Sequence, residues 1–381
     1  MKNVLLFLSV SALWAAPLLA AEPLVKKTEN VSFRNEVQLA IDRGLTFLKT
    51  QQKPEGYWSS DEHPGLTALP LNAFHRDPAG TYREGKQDFL KKGYAFIRST
   101  AKPDGGIYVK GLSNYNTSLA LVALLNTGLP QDEPLITKAR SFIIGQQTKG
   151  MAVESLDGGI GYGPTGVSPK RQHPDLDNTL VSLEALRTYH AARPNVEIAP
   201  KDDLNWAAAI EFVSRTQNLP SHNPKSSTAE ADKGGFVYYP GFSNADPVDG
   251  PKALRSYGSM SYAGLLSFIF ADLKKDDARV IAALEWLNKN YSLEENPGMG
   301  NSGLYYYYHL MTKGLAAAGV EQLELTNGKK VDWAPLLAKK VIDLQKGDGS
   351  WANESARWME KDPVLVTSYC VLTLEIIYNR L

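Results

Sequence analysis

The sequence predicts an all-α protein, an α6/α6 toroid (α/α barrel) in which six helix hairpins close into a ring. Three observations predict it. One unit recurs six times along the 381 residues: an amphipathic helix, a glycine-rich turn carrying an aromatic, then a second helix of smaller and more apolar residues. The turns share a composition, as in PEGYW (Pro54 to Trp58), PDGGIY (Pro103 to Tyr108), DGGIGYG (Asp157 to Gly163), KGGFVYY (Lys233 to Tyr239) and GDGSW (Gly347 to Trp351). Glycine reaches the positive φ that a tight turn needs, and the aromatic staples the turn to a neighbouring helix. Finally, such units bury their apolar faces only against one another, so six close with the second helices inside and a cavity at one end.

Taken in order, the chain opens with Lys2, an apolar run from Val4 to Leu19, and Ala20 and Ala21 before Glu22. Residues 1–21 read as a secretory signal peptide and predict export, periplasmic or secreted. Cleavage after Ala20 or Ala21 competes with retention as an uncleaved anchor, because Leu18 or Leu19 would stand where a small residue is preferred. A polar lead-in spans 22–37, and the toroid 38–381. First helices are centred on Leu45 to Leu48, Tyr94 to Ile97, Ser141 to Ile144, Ile210 to Val213, Leu284 to Leu287 and Leu337 to Leu344. Second helices begin near Thr67, Thr117, Thr179, Met260, Tyr305 and Thr367. The segment 218–257, rich in Pro, Ser, Asp and Gly, reads as an insertion too polar for core, either a lid over the cavity or a surface loop.

Charge is balanced at 41 basic and 41 acidic residues, which removes any electrostatic case for a nucleic-acid partner. The single cysteine, Cys370, lies in an apolar helix and packs as a small hydrophobe. No metal-ligand constellation and no phosphate-cradling loop stands out, so neither metal nor cofactor is expected.

The most chemical stretch is HPDLDNT, His173 to Thr179. Asp175, Asp177 and Asn178 stand at the start of a helix in which Leu176, Leu180, Leu183 and Leu186 recur at helical spacing. If the inner helix starts gather at one rim, His63, Asn114, Asn116, Arg255, Tyr257 and Asn301 join these acids there. Tyr305 opens a run of four tyrosines, of which one or two can line the cavity, against a cation or a sugar. His63 reads as a proton shuttle, a ligand or a solvated loop histidine, and Arg255 as a partner that lowers the pKa of Asp175 or Asp177. Asp177 or Asn178 reads equally as a plain helix cap, as Asn116 and Thr117 do in the second unit.

The run Arg43 to Trp58, RGLTFLKTQQKPEGYW, resembles the QW motif of squalene and oxidosqualene cyclases, with Gln52 as its glutamine. Lys138, Ala139, Phe142, Ile143 and Gln147 repeat it, as does Gln345 to Trp351; Ala101 and Tyr291 depart from it. The resemblance covers residues 38 to 380 and implies the prenyltransferase and squalene-cyclase superfamily. Within it, DLDNT is similar to the D-x-D-D-T of class II terpene cyclases, whose middle aspartate protonates an alkene or epoxide. Asp175, Asp177 and Thr179 match, while Asn178 replaces the last aspartate.

The resemblance implies an exported cyclase-like protein with Asp177 as the acid, Asp175 and Asn178 tuning it, and an isoprenoid as the hydrophobic ligand, with peripheral membrane contact. Two other readings stand beside it: a non-catalytic toroid that binds a lipid, peptide or glycan, and a secreted α/α-barrel enzyme acting on glycans through paired acids.

Overall fold

The computed structural model describes residues 31–163, 172–325 and 327–381. The expected signal peptide, 1–21, and the first part of the expected lead-in lie outside the described residues. The lead-in is shorter than the sequence suggests, because α1 already begins at Val31.

Twelve α-helices alternate among the described residues. The outer six are α1 (Val31–Gln51), α3 (Asp88–Ser99), α5 (Glu133–Gly145), α7 (Trp206–Thr216), α9 (Ala278–Lys289) and α11 (Trp333–Asp343). Between them come the inner α2 (Gly65–Arg76), α4 (Ser113–Thr127), α6 (Leu176–Ala192), α8 (Gly258–Phe270), α10 (Leu304–Ala318) and α12 (Pro363–Tyr378). Two short antiparallel pairs decorate the ring, β1 (Ile160–Gly161) with β2 (Pro174–Asp175), and β3 (Gln322–Glu324) with β4 (Lys330–Asp332).

Periodicity explains the two layers. Outer α3 buries Leu90, Gly93, Tyr94 and Ile97, one stripe at helical spacing, and leaves Asp88, Lys91 and Lys92 to solvent. Inner α8 buries every residue it has, which suits a helix packed on all sides. Each inner helix packs on the next, and α12 packs on α2 to close the circle.

The turns hold the ring at fixed spacing. Gly56, Gly105, Gly158, Gly234 and Gly349 all have φ between 88 and 98°. A Cβ on any of them would stand 2.1 to 2.6 Å from a carbonyl oxygen of the next outer helix, so only glycine allows that approach. The motif glutamines lie alongside. Gln52 donates to its own turn at Gly56 O (2.9 Å) and to α3 at Phe89 O (2.8 Å). Gln147 reaches Gly158 O and Asn205 O, and Gln345 reaches Gly349 O and Ala40 O of α1. Gln217 does the same in the fourth unit, to Gly234 O and Arg279 O. Where Ala101 replaces the glutamine, Arg98 instead ties α3 to the start of α5 through both oxygens of Asp132 (2.7 and 2.8 Å).

A second device fixes where five of the six inner helices start, α10 being the exception. The hydroxyls of Thr67, Thr117, Thr179, Ser261 and Thr367 accept a backbone N–H from the preceding turn, at 2.8 to 3.1 Å. Thr179 is therefore one member of a structural series. The segment 218–257 is more than a surface insertion. It contains the fourth glycine turn and buries Phe236, Val237 and Tyr257.

Candidate active site

The starts of the inner helices meet at one end of the ring around a cavity of about 260 Å³. Aromatics dominate its wall: Tyr115, Tyr162, Tyr238, Tyr257, Tyr306, Trp358 and Tyr369. Its apolar lining includes Leu66, Leu112, Met260 and Leu365; its polar lining includes His63, Asn116, Asp177, Asn244 and Glu360.

Asp175 and Asp177 take different positions. Asp175 is fully buried and is the N-cap of α6, its Oδ1 accepting the Asn178 N–H at 2.8 Å. The Asn178 amide donates to both of its oxygens, at 3.1 and 2.9 Å. The cap is thus neither Asp177 nor Asn178, which leaves Asp177 free to face the cavity. Asp177 accepts a hydrogen bond from the Tyr306 hydroxyl.

Burial lifts both carboxyls above the usual range. Asp175 rises to about 8, driven first by burial and then by the charge of Asp177, with the Asn178 backbone and amide donors pulling the other way. Asp177 is raised by burial, offset by the Tyr306 hydroxyl and the charge of Lys313. Lys313 pairs with Glu184 deeper in the barrel, joining α10 to α6 below the cavity.

His63 lines the cavity, and burial holds its imidazole below the usual range, so it is neutral at neutral pH. Tyr257 lines the wall and its hydroxyl accepts from Asn244 (3.2 Å). Asn116 also lies at the wall, but its polar atoms are occupied: Oδ1 accepts the Gly65 N–H at 3.0 Å and Nδ2 donates to Gly111 O at 2.8 Å. It braces the start of α2. Asn114 is withdrawn between α4 and α6, where it bonds Ser182.

Three expected positions fall outside the cavity. Arg255 is exposed, because the Asp246 carboxylate holds the backbone N–H groups of Leu254 and Arg255 and turns this side chain outward. It pairs with neither aspartate of α6. Asn301 is exposed in the turn before α10, its carbonyl taken by Asn353. Tyr305 is buried edge-on against Tyr308, outside the wall. Its neighbour Tyr306 takes the cavity position, since successive helical residues point about 100° apart.

Sequence reasoning missed Tyr115, Tyr238, Tyr306 and Glu360. A signal for the first existed. Tyr115, Asp177, Ser259 and Leu365 each stand two residues before a member of the hydroxyl series, and all four line the cavity. Glu360 had none. It arrives from the loop before α12, and its Oε1 accepts the Tyr306 N–H at 2.8 Å, capping α10, whose own N-cap is Gly303.

No family model matches the chain. A terpene cyclase/mutase from Nectria sp is 28% identical over 149 residues, 34% of this chain; the match spans 20% of that relative's length. The type II terpene cyclase MstE from Scytonema, solved with merosterolic acid A, superposes with a TM-score of 0.57 at 12% identity, covering 93% of this chain and 100% of that one. The same enzyme, solved with geranylgeranyl dihydroxybenzoate, gives 0.55 at 12% identity, covering 92% and 99%. A GH76 α-mannanase from Bacteroides thetaiotaomicron gives 0.57 at 12% identity, covering 90% and 96%. The chain has the fold of the terpenoid cyclase-like toroids, an all-α architecture that glycan-active barrels share.

Proposed function

We propose that this terpenoid cyclase-like toroid binds an isoprenoid in its aromatic cavity and cyclises it by protonation, with Asp177 as the acid. One observation carries the reading: among the aspartates of the DLDNT turn, Asp177 alone reaches a cavity whose wall contains six tyrosines. An alkene is a weak base, so its protonation needs a carboxylic acid kept protonated by burial, which is the direction in which Asp177 is shifted. The alkene π electrons take the proton, a tertiary cation forms, and successive double bonds attack it to close rings. Tyr115, Tyr306 and Tyr369 line the cavity with Asp177, where their rings can stabilise the cation. We further propose that the signal-like residues 1–21 direct the chain out of the cytoplasm, where its hydrophobic ligand reaches it from a membrane surface.

A barrel acting on glycans would need a second free carboxyl across the cavity. The other carboxylate in the wall, Glu360, is engaged with the start of α10, which favours the isoprenoid reading. A binding toroid without catalysis shares the cavity but gives the raised acid no task.

The test is native mass spectrometry of the exported protein with extraction of bound lipid, then incubation with squalene and shorter polyprenes. A cyclic product of unchanged mass supports the proposal, and Asp177→Asn should abolish it while leaving the circular dichroism spectrum unchanged. A protein that neither retains nor converts any isoprenoid returns the cavity to a binding role.

A further inference from the structure

The described residues of the ring enclose two separate voids, and the layer between them limits what the upper one can hold. Every inner helix reaches the upper cavity from its first four residues, through Leu66, Tyr115, Asp177, Met260, Tyr306 and Leu365. Among the described residues of those helices, one wall residue lies deeper: Tyr369, the seventh residue of α12. Its ring closes the floor. It stacks on His309 with centroids 5.3 Å apart, leans on Tyr306 at 5.5 Å, and its hydroxyl stands 3.5 Å from that of Tyr115. Below this layer is a void of about 40 Å³ that shares no lining residue with the cavity above and has the Lys313–Glu184 pair in its wall. The cavity is therefore a cup that reaches about 10 Å down the helices, not a channel along the axis.

Volume sets the size of the guest. A protein cavity of about 150 Å³ takes up benzene, about 25 Å³ per carbon, so the cup of about 260 Å³ admits about ten carbons. Charge sets its kind. Among the described residues the wall contains no lysine or arginine, and its carboxyl groups are those of Asp177 and Glu360, so no cation offsets the cost of burying an anion there. Asp177 stands next to the floor, because Tyr306, which leans on Tyr369, also donates to it.

We propose, building on the cyclase reading above, that the reacting part of the substrate is a neutral segment of two isoprene units, about ten carbons, with Tyr369 as the residue that sets this limit. The terminal alkene enters first and meets Asp177 at the floor. Carbons beyond the second unit lie at the mouth, beside Trp358 and Met359, which line the cavity and are 43% and 45% exposed. Two units contain two double bonds, enough for one ring closure, so a longer chain is cyclised only at its buried end.

The test is a chain-length series of neutral esters, geranyl, farnesyl and geranylgeranyl acetate, together with geranyl diphosphate. Products are counted for rings with the wild-type protein, and dissociation constants are measured on Asp177→Asn, which binds without turning over. All three acetates should give products with a single ring. Affinity should level off after geranyl acetate, within about threefold, whereas a cavity that took in the whole chain would gain more than about tenfold per added unit. Geranyl diphosphate should bind at least about tenfold more weakly than the acetate. Tyr369→Ala opens the floor toward the lower void and should admit a second ring from farnesyl acetate; should that variant not fold, the wild-type ring count decides alone. Products with two or three rings from the wild-type protein, affinity that climbs with every unit, or a preference for the diphosphate overturns this assignment and leaves the cyclase reading standing. A wild-type protein that forms no cyclic product from any of these chains overturns both.

Discussion

At the scale of single residues, two aspartates two positions apart take different positions because a helix start turns one inward, as the cap of α6, and the other toward the cavity. Asp175 faces backbone and amide donors, while Asp177 faces a cavity and one phenol. The Tyr306 hydroxyl stabilises the Asp177 carboxylate, so Tyr306→Phe should raise the pKa of that acid further. Activity that needs protonated Asp177 then persists to higher pH, and the alkaline limb of the kcat/KM profile should move upward; a downward move would remove Asp177 as the titrating acid. The acids themselves were legible in the sequence because DLDNT repeats the helix-start pattern with carboxylates in it. Their different surroundings were not, since the partner of Asp177, Tyr306, approaches from 129 residues away.

At the scale of helices and turns, the repeat was readable because it is local: Gln52 and Trp58, like Gln345 and Trp351, stand six residues apart with the turn glycine between them. What faces the cavity was less so. A shift of one residue rotates a helical side chain by about 100°, which is why Tyr306 takes the position expected of Tyr305. Helix α12 contains a further feature that no pattern announces. Glu375 is buried with both carboxyl oxygens unpartnered, and burial pushes its pKa well up. Its folded-state pKa exceeds the unfolded one, so folding above the unfolded pKa requires proton uptake and is penalised there, while the penalty vanishes as pH falls below that value. Glu375→Met should therefore raise the unfolding free energy at pH 7 by about 1–3 kcal/mol, with a gain that shrinks toward pH 4 in urea titrations. A loss of stability at pH 7 would mean that the carboxyl has a partner in solution.

At the scale of the whole molecule, closure distinguishes this ring from an open stack of hairpins. Its seam lies where Gln345 of the last unit donates to Ala40 O of the first, beside the packing of α12 on α2. Gln345→Ala should lower stability by about 1–2 kcal/mol. Hydrogen exchange should then quicken first at the facing ends of α1 and α11, whereas acceleration spread evenly around the ring would mean the seam is no weaker than other joints. The loop before α12 carries another long-range link. Helix α10 has a glycine at its N-cap, and the carboxylate that completes it, Glu360, stands 54 residues beyond the Tyr306 N–H it receives. Tyr306, the residue that touches the acid, thus sits on a helix whose first turn is finished only by the chain's final hairpin. In mechanical terms, one residue is held from two hairpins at once: Glu360 grips the backbone of Tyr306 and Asp177 its hydroxyl, so a substitution in the loop before α12 is transmitted to the Asp177 contact without touching either partner of it.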